Sequence, residues 1–62
     1  MTLEEFSERT TSDLHIVKLN IEESGKKTYQ HLQERDFKGK ENEFEVISFD
    51  AVYADLIRVC VE

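Results

Sequence analysis

The segment from Phe44 to Glu62, which reads FEVISFDAVYADLIRVCVE, constrains the fold more than any other part of the chain. It contains two apolar runs separated by a polar-flanked break at Asp50–Asp55, and it holds most of the valines and isoleucines. Two runs of this composition around a short break are typical of a β-hairpin. The segment therefore predicts a folded domain, although it does not indicate a function.

The length of the chain, 62 residues, predicts a single domain that spans residues 1–62. A chain this short buries only about 60% of the surface that its unfolded state exposes, so its stability is marginal. The single cysteine, Cys60, cannot form an internal disulfide and is typical of a protein of the reducing cytoplasm. Because small folds often need an additional source of stability, we expect self-association to supply it.

The charge is strongly negative and unevenly distributed. Fourteen acidic and eight basic side chains give a net charge of −6, with −4 on residues 1–25, +3 on residues 26–40 and −5 on residues 41–62. Such a chain is a poor direct ligand for nucleic acid, because binding to phosphates depends on Lys and Arg. It suits a basic protein surface, although the acidic residues can also serve solubility alone. No apolar run is long enough for a membrane span, and the acidic start is unlike a signal peptide, so we expect cytoplasmic localisation.

The first residues carry a helix-start signal. Thr2 and Glu5 have the spacing of a capping box, in which each side chain bonds the backbone amide of the other residue. Leu3 and Phe6 lie three residues apart, which places them on one face of a helix. The pattern predicts a short helix from Leu3 to Arg9 that depends on docking through these two side chains.

Two strands are predicted next, at Leu14–Ile21 and Lys27–Leu32, joined by a turn in which Gly25 can adopt positive φ. In the first strand, apolar residues occur at both even- and odd-numbered positions, which point to opposite faces of a sheet. This pattern indicates either a bulge near residues 16–17 or a strand that is partly covered on both faces, and we favour the bulge. Residues 29–34 are also compatible with a helical turn.

A polar loop is predicted at residues 35–43, with Phe37 either pinning the loop to the core or exposed as a contact residue. Strands at 44–50 and 56–61 follow, and the second is predicted to bury Ile57 and its odd-numbered neighbours while Arg58 faces solvent. The expected fold is α+β: a short N-terminal helix packed on a three- or four-stranded antiparallel sheet in meander order.

No arrangement of residues indicates catalysis. The only soft metal ligands are His15, His31 and Cys60, and they lack the paired spacings of zinc sites. Cys60 lies within an apolar strand, which favours a packing role over that of a nucleophile. We therefore expect no enzymatic activity, no cofactor and no metal.

Protein binding remains as the expected function. Acidic residues and aromatic residues near turns are the candidate contacts, since spaced carboxylates can imitate phosphates and tyrosine is a favoured interface residue. The structural alternative is that the acidic residues form a solvated face and that Tyr53 closes the hairpin over the core. Apolar residues of both parities at 14–21 and 44–49 also predict a homo-oligomer. The candidate protein-binding residues are Glu22, Glu23, Phe37, Glu41, Glu43, Asp50, Tyr53 and Asp55.

The order of these parts resembles a known group of short proteins. The start TLEEF, the strand DLHIV, a turn with SGK and the closing EVISF and DLIRVCV runs are similar to short open reading frames of bacteriophages and prophages of Gram-positive bacteria. The resemblance implies a mobile-element origin, expression inside a host cell and a role in host takeover or defence evasion, as in anti-CRISPR-like inhibitors. The resemblance assigns no functional residue; the expectation that the protein partner is a nucleic-acid-binding protein comes from the spaced carboxylates, which can imitate phosphates toward a basic cleft.

Overall fold

The computed structural model describes residues 1–62 and begins with the predicted helix. Helix α1 spans Leu3–Glu8, with Arg9 as its C-cap. The capping box is confirmed: the Glu5 amide donates to Thr2 Oγ1 at 3.2 Å, and the Thr2 amide donates to Glu5 Oε1 at 3.1 Å. The helix docks as expected, since Leu3 and Phe6 are both buried.

Strands β1 (Asp13–Ile21) and β2 (Lys27–Leu32) form the first hairpin. Gly25 has φ of +86° in the turn, as predicted, and the Glu22 amide closes the turn on the Lys26 carbonyl at 2.9 Å. The predicted bulge near residues 16–17 is wrong. β1 pairs without interruption with strands on both sides there, and its two sets of apolar side chains point to opposite faces of the sheet.

The segment between the hairpins is more ordered than a polar loop. It contains helix α2 (Glu34–Phe37) and a 3-10 turn (Glu41–Glu43). The backbone amide of Gln33 donates to the Asp36 carboxylate at 2.8 Å, and this bond caps the start of α2. Phe37 packs against the core and pins the segment, which confirms one of its two predicted roles. Residues 29–32 belong to β2, so the helical turn begins only after them.

Strands β3 (Val46–Tyr53) and β4 (Leu56–Val61) form the second hairpin. The predicted break at residues 50–55 is wrong in length, because pairing continues to Tyr53 and Leu56 and leaves a tight turn at Ala54 and Asp55. The register shifts twice along β3, between Val46 and Ser48 and between Ala51 and Tyr53. The irregular strand is therefore β3. Its register shifts explain why core-facing apolar side chains occur at both even and odd positions of this strand.

The four strands have the order β2-β1-β4-β3, so the two hairpins lie side by side. The α+β class with a short N-terminal helix on a small sheet is confirmed. The meander order is not, because β1 and β4 pair in parallel at the centre of a mixed sheet. Residues 33–45 therefore cross from the β2 edge of the sheet to the β3 edge.

The core lies on one side of the sheet only. Helix α1 contributes Leu3 and Phe6, and the sheet contributes Ile16, Leu32, Val59 and Val61; these six residues form the buried core. As predicted, β4 turns its odd-numbered side chains to this core and leaves Arg58 exposed. Neither helix is long or apolar enough to cross a membrane.

Candidate functional site

The second side of the sheet has no helix on it, and we call it the open face. It carries the odd-numbered residues of β1 and β2 and the even-numbered residues of β4, together with Ile47, Ser48, Asp50 and Tyr53 of β3. Its centre is a row in which Val17 pairs with His31 on one side and Cys60 on the other, while Cys60 also pairs with Ser48.

A shallow groove of about 590 Å³ runs over this open face. Its apolar lining consists of Val17, Leu19, Tyr29, Ile47 and Cys60. Tyr29 is 64% exposed and Ile47 is 43% exposed, whereas the other three side chains are half-buried by their neighbours in the sheet. An exposed apolar concavity of this kind is typical of an interaction surface.

The few charges on the open face balance. The face carries two basic side chains, Arg58 and Lys27, and two acidic ones, Asp13 and Asp50. The Arg58 guanidinium donates to both oxygens of Asp50, with Nη2–Oδ2 at 3.0 Å and Nε–Oδ1 at 3.3 Å. The open face therefore has no formal net charge, in contrast to the −6 of the whole chain.

The two histidines meet on the open face. The rings of His15 and His31 stack with their centroids 4.3 Å apart and an interplanar angle of 22°. No group of three or more His, Cys, Asp or Glu side chains is arranged to hold a metal ion. Their separation along the sequence does not match a zinc-site spacing, but a hairpin centred on Ser24 places them diagonally opposite each other.

The negative charge lies mainly on the other side of the molecule. We call residues 1–12 and 33–45, which cover the core, the helix side. These segments contain eight acidic and four basic side chains. Lys38 pairs with Glu34 at 3.5 Å, so one cation of the basic stretch 26–40 is already engaged there. Glu41 and Glu43 lie in the 3-10 turn, which packs beside α1 with its exposed Glu4 and Glu8.

Two ionisable groups on the helix side have shifted pKa values. The Thr2 amide and then the Thr2 hydroxyl donate to Glu5, and these bonds lower the pKa of its carboxyl below the ordinary 4.5. A hydrogen bond to Glu45 at 2.7 Å raises the pKa of the Met1 amine above the ordinary 8.0. The Glu5 shift comes from the local capping box, and the Met1 shift comes from a contact between the N-terminus and a residue far along the chain.

The predicted binding residues do not converge on one site. Glu22 and Glu23 lie in the β1–β2 turn, at the opposite end of the sheet from the exposed Tyr53 and from Asp55 in the β3–β4 turn. The other four are spread over both sides of the sheet. Asp50 is on the open face, Glu41 and Glu43 are on the helix side, and Phe37 packs against the core.

Sequence reasoning did not select the five residues that form the apolar lining of the groove. The available signal is that apolar residues occur at both odd and even positions of β1 and β3. This pattern indicates that a second face of the sheet is covered, but it does not show which residues form that face. The groove becomes visible only when β1 and β4 are known to be neighbours.

Comparisons with protein-family models, with curated proteins and with solved structures give no match.

Proposed function

We propose that this chain is a non-enzymatic protein-binding module that docks through its helix side on a basic surface of a larger protein. The observation that carries the proposal is the segregation of charge: the helix side has twice as many acidic as basic side chains, whereas the open face is neutral. A surface with one dominant sign of charge steers a partner of the opposite sign and speeds its association.

Few of the carboxylates are neutralised within the chain. Only Glu34, Glu45 and Asp50 have a cationic partner within 4.0 Å, which leaves eleven of the fourteen acidic side chains without one. All three pairs are on exposed side chains, where water and salt screen the attraction. The molecule therefore presents most of its negative charge to solvent, where an incoming basic surface can meet it.

The partner that best fits this surface is a nucleic-acid-binding protein. Such proteins collect Lys and Arg in a cleft that binds phosphates, and spaced carboxylates can occupy the same positions. The mechanism would be steric occlusion of that cleft. The resemblance to phage and prophage proteins supports an inhibitor of host or defence machinery, made in the host cytoplasm, as the biological form of this activity.

The test uses two variants that remove the same charge from different places. Glu4→Gln with Glu8→Gln neutralises exposed residues of α1, and Glu22→Gln with Glu23→Gln neutralises the distant β1–β2 turn. Proteins captured from an extract of Gram-positive bacteria by the wild-type chain are purified, and their association rates are measured at low and high salt. We expect the α1 variant to slow association more than the turn variant and DNA to compete for the partner.

Two results would count against this docking. A rate that does not change with salt would show that charge does not steer the encounter. Equal effects of the two double variants would show that no particular acidic surface is used.

A second candidate function, assembly of identical copies, is favoured by the open face.

A further inference from the structure

We propose that a second copy of this chain covers the open face, so that the two sheets pack face to face and both helix sides point outward. The groove supplies the apolar contact, with Tyr29 and Ile47 as its exposed residues and Cys60 near its centre. This proposal uses the opposite surface from the one proposed for docking, so either can fail while the other stands.

The charge of the open face favours an identical copy over a basic partner. With Lys27 and Arg58 balanced by Asp13 and Asp50, this surface does not select a cationic protein. Two copies that meet here bring no excess of like charge into contact. The helix-side carboxylates lie on the far side of each sheet, where their repulsion across the dimer is screened by water and salt.

The size of the open face is sufficient for a weak dimer. Four strands about 4.8 Å apart and about six residues long give a surface of roughly 19 by 20 Å. Two such surfaces, whose side chains add to the flat area, bury on the order of 1,000 Å², which is about the threshold for a biological interface and typical of weak complexes. We therefore expect a dissociation constant in the micromolar range and not an obligate dimer.

The edges of the sheet are less suitable for self-association. β3 is interrupted by two register shifts, which remove the regular row of bonding groups that another strand would need. The free edge of β2 begins beside Lys26 and Lys27, and charged residues of this kind discourage edge pairing. A smaller apolar groove of about 380 Å³ lies at Met1, Val46 and Phe49, and the groove of about 590 Å³ on the open face offers a second copy the larger contact.

The small core gives a reason for the contact. Only six of the 62 residues are buried, all between the helix side and the sheet. Below about 70–80 residues a single core supplies only about 3–5 kcal/mol, and association is a common supplement. Half-buried Val17 and Leu19, on the central strand β1, would become buried in the dimer and so extend the core through the sheet.

The experiment compares adjacent residues of β2 that point to opposite sides of the sheet. Tyr29 lies on the open face and Gln30 on the other, and both are exposed, so a charge at either position leaves the monomer folded. The variants are Tyr29→Glu and Tyr29→Lys, with Gln30→Glu and Gln30→Lys as matched controls. Using both signs separates loss of the apolar contact from a change in net charge.

Sedimentation equilibrium is measured from about 5 to about 500 µM, a range that brackets micromolar dissociation. We expect the wild-type mass to rise from 7.3 kDa toward twice that value. Both Tyr29 variants should weaken the dimer at least tenfold, and both Gln30 variants should change it less than twofold. Circular dichroism confirms that each variant is folded.

The thiol of Cys60 supplies a second readout. Because Cys60 lines the groove, its reaction with a thiol reagent should slow as the wild-type concentration rises, and it should not slow for Tyr29→Glu. A chain that stays monomeric at about 500 µM would overturn the proposal. Assemblies larger than a dimer, or association that resists both Tyr29 variants, would also overturn it, because either result assigns the contact to another surface.

Discussion

Asp50 and Arg58 face each other directly across β3 and β4, and the guanidinium engages both carboxylate oxygens, at 3.3 and 3.0 Å. The pair lies on the open face beside the apolar groove. A bidentate pair of this geometry fixes both side chains more firmly than a single contact would. It also keeps that part of the open face neutral, which a face-to-face contact between identical copies requires.

Replacement of Asp50 by Asn should affect association more than stability. Both side chains of the pair are more than half exposed, so its loss should cost the monomer less than about 1 kcal/mol in urea unfolding. In the dimer, however, Arg58 would be left without its partner in a contact surface, which is more costly. We expect sedimentation equilibrium to show a dimer weakened severalfold. Glu34→Gln, which breaks the ion pair with Lys38 on the helix side, should leave the dimer unchanged.

Replacement of Leu3 by Ala should unfold a large fraction of the protein. Leu3 is 1% exposed and connects α1 to the core, and such a truncation costs about 2–5 kcal/mol. That range is comparable to the whole stability expected of a domain this small. Thermal unfolding followed by circular dichroism measures the effect. Leu19→Ala removes the same atoms from the half-buried open face, and a loss as large as that of Leu3→Ala would contradict the one-sided core.

The capping box makes stability depend on acid pH through Glu5. Because hydrogen bonds from Thr2 lower the pKa of Glu5 in the folded state, the charged form stabilises the fold above the unfolded pKa. This contribution is lost as pH falls below the ordinary 4.5 and through the folded pKa. In acid titrations followed by circular dichroism, Glu5→Gln should lose less stability than wild type over that window. Glu4→Gln, in the same helical turn but outside the box, should keep the wild-type acid response.

Replacement of Gly25 by Ala should destabilise the first hairpin without any steric clash. Gly25 has φ of +86°, and nothing lies within 4 Å of the position that a Cβ would take. The cost is therefore conformational, about 1–2 kcal/mol in urea unfolding. Gly25→Asn should cost less, because asparagine tolerates positive φ better than alanine does. Equal losses for the two variants would show that the turn does not depend on this backbone conformation.

Local features of the fold could be predicted from the sequence because their signals lie within a few residues. The Thr2–Glu5 box fixed the start of α1, and the alternation along β4 correctly placed Val59 in the core and Arg58 outside. The glycine in the β1–β2 turn was equally readable. Each of these predictions rests on spacing that secondary structure imposes directly.

Long-range features could not be read in the same way. The parallel pairing of β1 with β4 depends on the path of residues 33–45, whose polar composition hid two short helical segments. Apolar side chains at both odd and even positions of β1 favour a bulge, yet the strand is regular and Val17 lies on the open face. The candidate site was therefore missed, because a sheet surface is assembled from strands distant in sequence.

The association rate with a captured partner, measured at low and at physiological salt, tests the proposed docking most directly. We predict that the rate falls as salt rises, and that Glu4→Gln with Glu8→Gln lowers it more than Glu22→Gln with Glu23→Gln. A rate that is independent of salt and unchanged by neutralising the exposed acids of α1 would contradict the account.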